Sequence, residues 1–157
     1  MSAGLSPELK KKIGHIVARY PKKEAAILPV LHLIQREKGA IAKEEELWIA
    51  GLLEIKPIKV REVVTFYTMF HQRPVGRYHI QVCSNLTCSL MGGEKVVDHL
   101  QKRLGIKIGE TTADQRFTLS EVECLGACEQ APCMMINFDY CGKLDPEKID
   151  SLLEGLD

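Results

Sequence analysis

The chain has 157 residues, 45% of them hydrophobic, which suits one or two small globular domains, and no run of eighteen apolar residues that would span a bilayer. Lys/Arg and Asp/Glu balance at 21 each, yet residues 1–76 hold 13 basic against 8 acidic groups and residues 77–157 hold 8 against 13. A nucleic-acid binder concentrates positive charge at its recognition surface; here the cysteine-bearing half is the acidic one, which argues against nucleic acid as a partner.

The opening segment, MSAGLSPELKKK, has neither the apolar stretch nor the small-residue cleavage site of a secretory signal. A cytoplasmic chain without direct membrane insertion is expected. In that reducing compartment six cysteines point to metal or redox chemistry rather than to a disulfide framework.

Ser6-Pro7-Glu8 supplies an N-cap, a first-turn proline and a first-turn acid, and Leu9, Ile13, Ile16, Val17 and Tyr20 then share one helical face. A second apolar stripe runs through Ile27, Val30, Leu31 and Ile34 and stops at Gly39, with Pro29 near the first turn. Leu47, Ala50 and Leu53 mark a third helix, and Val60, Val63, Val64 and Tyr67 a fourth that begins after Pro57. Helices this short have no stable packing singly and must bundle.

HQRPVG, residues 71–76, punctuates a change from period 3.6 to period 2, so a domain boundary is expected there: a helical domain over 1–74 and an α/β domain over 75–157. Tyr78, Ile80 and Val82 alternate with His79 and Gln81 as a strand. The Cys83–Cys88 loop leads to a helix carrying Val96, Val97, Leu100 and Leu104, closed by Gly105. A second strand runs from Phe117 to Glu123. After it, MMIN and YCGKL read as a hairpin around Phe138 and Asp139, and Asp145-Pro146-Glu147 caps a last helix with Ile149, Leu152, Leu153 and Leu156 inward. A β-α-β-β-α order of this size suits a thioredoxin-like topology. Both cysteine segments follow strand C-termini, so parallel pairing of those strands would bring them out on one sheet edge.

Cys83 and Cys88 are separated by four residues, Cys124 and Cys128 by three. Four converging thiolates repel one another and stay deprotonated together only around something cationic. Structural zinc favours two tight knuckles, whereas a four-residue gap also opens the plant-type ferredoxin pattern, so both zinc and a 2Fe-2S cluster fit the spacing. Gly126 can take unusual dihedrals and let amides approach the sulfurs, and the helix starting near Gly92-Gly93 can present free N–H groups. Glu121, Glu123 and Glu129 flank the second pair, either lowering a reduction potential or simply facing water. Cys133 reads as a small buried hydrophobe in a strand, with substitution for a ligand as its alternative; Cys141 reads as a bystander thiol, and Pro132 as an ordinary trans proline.

Dinucleotide, P-loop, zincin and C-x-x-C motifs are absent, and no Cys-x-His pair suggests a Rieske site. A thiol oxidoreductase and a four-cysteine zinc interaction module remain as rivals. Trp48, the tyrosines and the five histidines show the spacing of packing or surface residues.

VCSNLTCSLMGG and VECLGACEQAPCMMIN, together with AILPVLHLIQREKG and VVTFYTMF, resemble the E-subunit family of NADH:quinone oxidoreductase (respiratory complex I) over nearly the full length. These are thioredoxin-like 2Fe-2S ferredoxins whose near relatives serve NAD-linked hydrogenases and formate dehydrogenases. The resemblance implies an N-terminal helical bundle followed by a thioredoxin-like 2Fe-2S domain. It further implies one cluster held by Cys83, Cys88, Cys124 and Cys128, and a flavoprotein partner subunit that alone carries FMN and NAD. The chain would then be an electron-transfer subunit of an NADH dehydrogenase, peripheral to a membrane only through its complex, without catalytic acid–base groups and unable to oxidise NADH by itself. Cys133 departs from the family, whose members usually place another apolar residue there.

Overall fold

The computed structural model describes residues 4–156. They fall into two compact units, Met1–Pro74 and Val75–Asp157.

The described residues of the first unit form four α-helices, α1 (Pro7–Val17), α2 (Ile27–Lys38), α3 (Lys43–Leu53) and α4 (Pro57–Phe66), with a short 3-10 turn, Lys23–Ala26, ahead of α2. Two of the ends have a plain local cause. Ser6 Oγ accepts the Leu9 amide at the start of α1, and Gly39 ends α2 in the left-handed region at φ 80°. Leu9, Ile13, Val30, Leu31, Ile34, Ile49, Leu53 and Val60 fill the core. Three expectations shift, two at helix margins and one inside α3. Tyr20 lies beyond α1, Tyr67 caps α4, and Leu47 faces outward at 44% exposure while its neighbour Ile49 is fully buried.

Glu45 and Glu46 are buried on α3, against the usual preference of carboxylates, because each is satisfied. Glu45 accepts the Ala42 amide at 2.9 Å and stands 3.7 Å from Lys38 Nζ, and Glu46 accepts from Arg61 Nη1 at 2.8 Å. Gln35 fastens the segment after α4, donating to the Met69 carbonyl at 2.7 Å and accepting the His71 amide at 2.6 Å.

The second unit is a four-stranded sheet of order β2-β1-β3-β4. Its elements are β1 (Tyr78–Cys83), α5 (Leu86–Leu90), α6 (Gly93–Leu104), β2 (Phe117–Val122), β3 (Met134–Ile136), β4 (Asp139–Cys141) and α7 (Pro146–Glu154). β1 and β2 pair in parallel, with Tyr78 opposite Phe117 and Cys83 opposite Val122, so both strands end at the same sheet edge, as expected. β3 runs antiparallel to β1 and turns through Asn137, at φ 56°, into β4. Ile80, Val82, Leu119 and Met134 are covered by Val96, Val97 and Leu100 of α6 and by Ile149 and Leu153 of α7. His79 is buried rather than outward, its Nε2 2.8 Å from Ser120 Oγ on β2, which is how a sheet accommodates a buried imidazole. Among the described residues no helix is long and apolar enough to cross a membrane.

Candidate metal centre

The first cysteine segment leaves the sheet where β1 ends. Asn85 takes an extended N-cap conformation, and LTCSL forms the single-turn helix α5 instead of the open loop expected. Five residues are too few for a hydrophobic period to show. The turn aims Cys88 inward, 1% exposed, while Leu86 and Leu90 on the same helix and the adjoining Met91 stand 70%, 78% and 59% exposed. α6 begins directly behind it. A Cβ on Gly93 would sit 2.9 Å from the Cys88 carbonyl oxygen and 3.3 Å from that of Cys83, so only glycine lets the helix start so close to both cysteines. Gly93→Ala should therefore shift Cys88 and destabilise the unit by about 1–3 kcal/mol. Thermal unfolding, with the rate of metal loss to a chelator, checks this; a fall in stability without faster metal loss would separate Gly93 from the site.

Cys133 arrives from the other side. It directly precedes β3, its carbonyl accepts the Cys83 amide at 3.1 Å, and its side chain is 1% exposed. Burial agrees with the sequence reading, but the company is more specific. Cys88 and Cys133 Sγ are 3.7 Å apart, and the sulfurs of Cys83, Cys88 and Cys133 all lie within 4.8 Å of one another. The Ala131–Pro132 peptide is cis, correcting the expected trans form.

Cys124 and Cys128 are exposed and stand outside that three-sulfur group. Their segment nevertheless lies against the first one. Cys83 Sγ donates to the Glu123 carbonyl at 3.0 Å, the Asn85 amide donates to the same oxygen at 3.1 Å, and the Leu125 amide is directed at the Cys83 sulfur. Gly126 adopts φ 73°, and its N–H meets Cys124 Sγ at 3.3 Å, the amide approach its flexibility promised. Cys128 opens a short 3-10 turn, Cys128–Gln130. The β3–β4 hairpin pins this turn: Tyr140 donates to the Leu125 carbonyl at 3.0 Å and the Lys143 amide to that of Gln130 at 2.6 Å. Glu121, Glu123 and Glu129 all have exposed side chains, and Cys141 is half-buried in β4 opposite Met134.

The thiols differ in acidity. Burial alone would raise Cys83, but the amides of Asn85 and Leu125, with the Cys88 and Cys133 thiols, hold it below the ordinary thiol value. Burial raises Cys88, and burial together with the Cys88 and Cys83 sulfurs pushes Cys133 up to about 12. Soft sulfur donors of this kind suit zinc, iron and iron–sulfur clusters. The set also fits a 2Fe-2S cluster: thiols on two segments share one sheet edge, with backbone amides directed at the sulfurs. Cys133's place among them depends on the β1–β3 register, Val82 opposite Met134, which no local pattern carries. Its only sequence signal is a further cysteine five residues after Cys128.

A thioredoxin-type sheet with cysteine-bearing segments at the ends of two parallel strands defines a small redox-metal module of the ferredoxin class. The chain belongs to the thioredoxin-like [2Fe-2S] ferredoxin family, whose model matches residues 13–157. It is 46% identical over 146 residues to the second E-type subunit of the NADH-quinone oxidoreductase of Rhizobium meliloti, covering 93% of this chain and 87% of that protein. Against the E-type subunit of the NADH-quinone oxidoreductase of Rickettsia prowazekii it is 46% identical over 142 residues, covering 88% and 80%. The fold is also similar to an NAD+-reducing [NiFe]-hydrogenase in its H2-reduced state, with a TM-score of 0.72 and 26% identity. That likeness covers 83% of this chain but only 22% of the hydrogenase chain.

Proposed function

We propose that the chain is the one-electron relay of an NADH:quinone oxidoreductase of the complex I type. It holds one 2Fe-2S cluster on Cys83, Cys88, Cys124 and Cys128, beside a flavoprotein subunit that carries FMN and binds NADH. The observation that carries this reading is the parallel pairing of β1 with β2, which delivers both cysteine segments to one edge. Identity of 46% to two proteins named as NADH-quinone oxidoreductase subunits supports the parent complex.

When bound, the cluster supplies single-electron chemistry next to a flavin that takes up a hydride as an electron pair. The chain's own residues bind and insulate it. Cys83 and Cys88 would hold it with buried thiolates, Cys124 and Cys128 with exposed ones, and the amides directed at Cys83 and Cys124 would offset negative charge on sulfur. Exposed Leu86, Leu90 and Met91, next to buried Cys88, support a partner subunit that covers this edge and shortens the path for the electron. No acid–base step is assigned to the chain.

The test is purification without oxygen. The native protein should be brown, contain about two irons and two acid-labile sulfides, and give a rhombic paramagnetic signal on reduction. NADH should reduce it only when the flavoprotein subunit is added. Zinc as the sole metal in protein that also takes up no iron and sulfide on reconstitution, or direct reduction by NADH alone, overturns the reading. The similarity to the NAD+-reducing hydrogenase favours a second parent assembly, which nickel in the co-purified complex would identify.

A further inference from the structure

The four-cysteine assignment leaves two cysteines over, and one of them, Cys133, stands among its buried ligands. Cys133 is as buried as Cys83 and Cys88, and its Sγ is 3.7 Å from that of Cys88. All three sulfurs lie within 4.8 Å of one another although they come from the end of β1, the helix α5 and the residue before β3. A tetrahedral ion with metal–sulfur bonds of about 2.3 Å sets its sulfur ligands about 3.8 Å apart. The three thiols therefore already stand at roughly the spacing of three corners around a single ion. An iron of a 2Fe-2S cluster takes only two terminal thiolates, so Cys133 has no place in that arrangement unless it displaces a neighbour.

We propose that Cys83, Cys88 and Cys133 form a mononuclear site for a soft divalent cation, occupied when the iron–sulfur cluster is absent. The site shares Cys83 and Cys88 with the four-cysteine assignment and rests on it to that extent. Cys133 is the ligand that distinguishes the two states. Binding is balanced as a proton exchange: one divalent ion replaces three thiol protons and leaves a complex of net charge −1, with no oxidant or reductant needed. The exposed carboxylates of Glu121, Glu123 and Glu129 are harder donors on the surface and do not compete for a soft ion held inside. Such a site would keep the two buried ligands of the cluster capped until iron and sulfide arrive, and it would make a zinc- or iron-loaded, sulfide-free form an expected state of the protein.

The experiment uses the full chain after removal of iron and sulfide, kept reduced and free of oxygen, with Co2+ as an optical probe. One Co2+ should bind per chain with intense thiolate-to-metal absorption. Cys133→Ala and Cys133→Met should each weaken it by about tenfold or more, while the Cys124→Ala/Cys128→Ala pair should leave stoichiometry at one and affinity within about threefold. Circular dichroism of each variant establishes that it is folded. Alkylation mapped by mass spectrometry on the wild-type chain gives a reading that needs no variant: cobalt should slow modification of Cys83, Cys88 and Cys133 and leave Cys124 and Cys128 reactive. Unchanged cobalt affinity in both Cys133 variants, or protection of Cys124 and Cys128 in place of Cys133, overturns the proposal. Reconstitution with iron and sulfide separates the two assignments. A Cys133→Ala chain that takes up the full cluster but loses cobalt supports both; a wild-type chain that binds cobalt on these three thiols yet never assembles a cluster defeats the 2Fe-2S reading alone.

Discussion

Cys124→Ala, prepared without oxygen, should lose the brown colour, with acid-labile sulfide falling from about two per chain to near zero and iron from about two to one at most. The apo fold should scarcely notice the change. Cys124 is exposed, its sulfur accepts only the Gly126 amide at 3.3 Å, and surface substitutions of this kind usually move stability by no more than about 0.5 kcal/mol. Ligation and folding are thereby uncoupled, which Cys83 and Cys88 do not allow because both are buried. The loaded wild-type protein gains stability by mass action from whatever binds only the folded state, so its melting temperature should exceed that of the apo chain. Cys124→Ala should lose the part of that difference that the cluster supplies, keeping at most the smaller gain from a single ion on Cys83, Cys88 and Cys133. Cys128→Ala should behave alike, and Cys133→Ala should keep its iron, sulfide and paramagnetic signal. Metal analysis, visible absorption and thermal melts of loaded and unloaded protein make the comparison. A brown Cys124→Ala protein with full sulfide content would remove Cys124 from the ligand set.

Much of the scaffold behind this prediction is legible along the chain because its causes are local. Gly39 ends α2 and Gly105 ends α6 in the left-handed region, and Asp145-Pro146 starts α7, with Asp145 accepting the Lys148 amide at 2.8 Å. The strand preceding each cysteine pair is equally visible, and parallel pairing follows from the intervening helix, since parallel neighbours need a crossover. What stays hidden depends on partners distant in sequence. Glu45 and Glu46 look like surface acids until Lys38 and Arg61 arrive beside them. Leu47 and Ile49 are equally apolar, and only the packing of the bundle turns Ile49 inward.

The candidate site divides in the same way. Spacing and flanking glycines mark Cys83, Cys88, Cys124 and Cys128 as a group, and the two segments do meet through the Cys83 thiol and the Glu123 carbonyl. Cys133 reads as a packing residue because burial is what its neighbours Met134 and Ile136 announce. Antiparallel pairing of β3 on β1 then carries it to within 3.7 Å of Cys88, a consequence of register rather than of local pattern.

Leu31→Ala should carry the largest stability cost of any single change argued for the helical unit. Leu31 is fully buried on α2 within the cluster formed by Leu9, Ile13, Ile34, Ile49 and Leu53. Truncation removes transfer energy and leaves a cavity that rigid helices fill only in part, for a loss of about 2–5 kcal/mol. A domain of this size has on the order of 5–15 kcal/mol of total stability, so the helical unit should melt at a markedly lower temperature. Leu31→Met, which conserves volume, should cost under about 1.5 kcal/mol. All six cysteines lie in the second unit. Below the lowered transition, visible absorption per chain and the paramagnetic signal of Leu31→Ala should therefore match wild type. Differential scanning calorimetry paired with metal analysis at graded temperatures checks both halves of the expectation. Iron lost in step with melting of the helices would mean that the two units unfold as one cooperative body. Iron retained past that transition would place cluster binding wholly within residues 75–157, with the helices serving the partner rather than the metal.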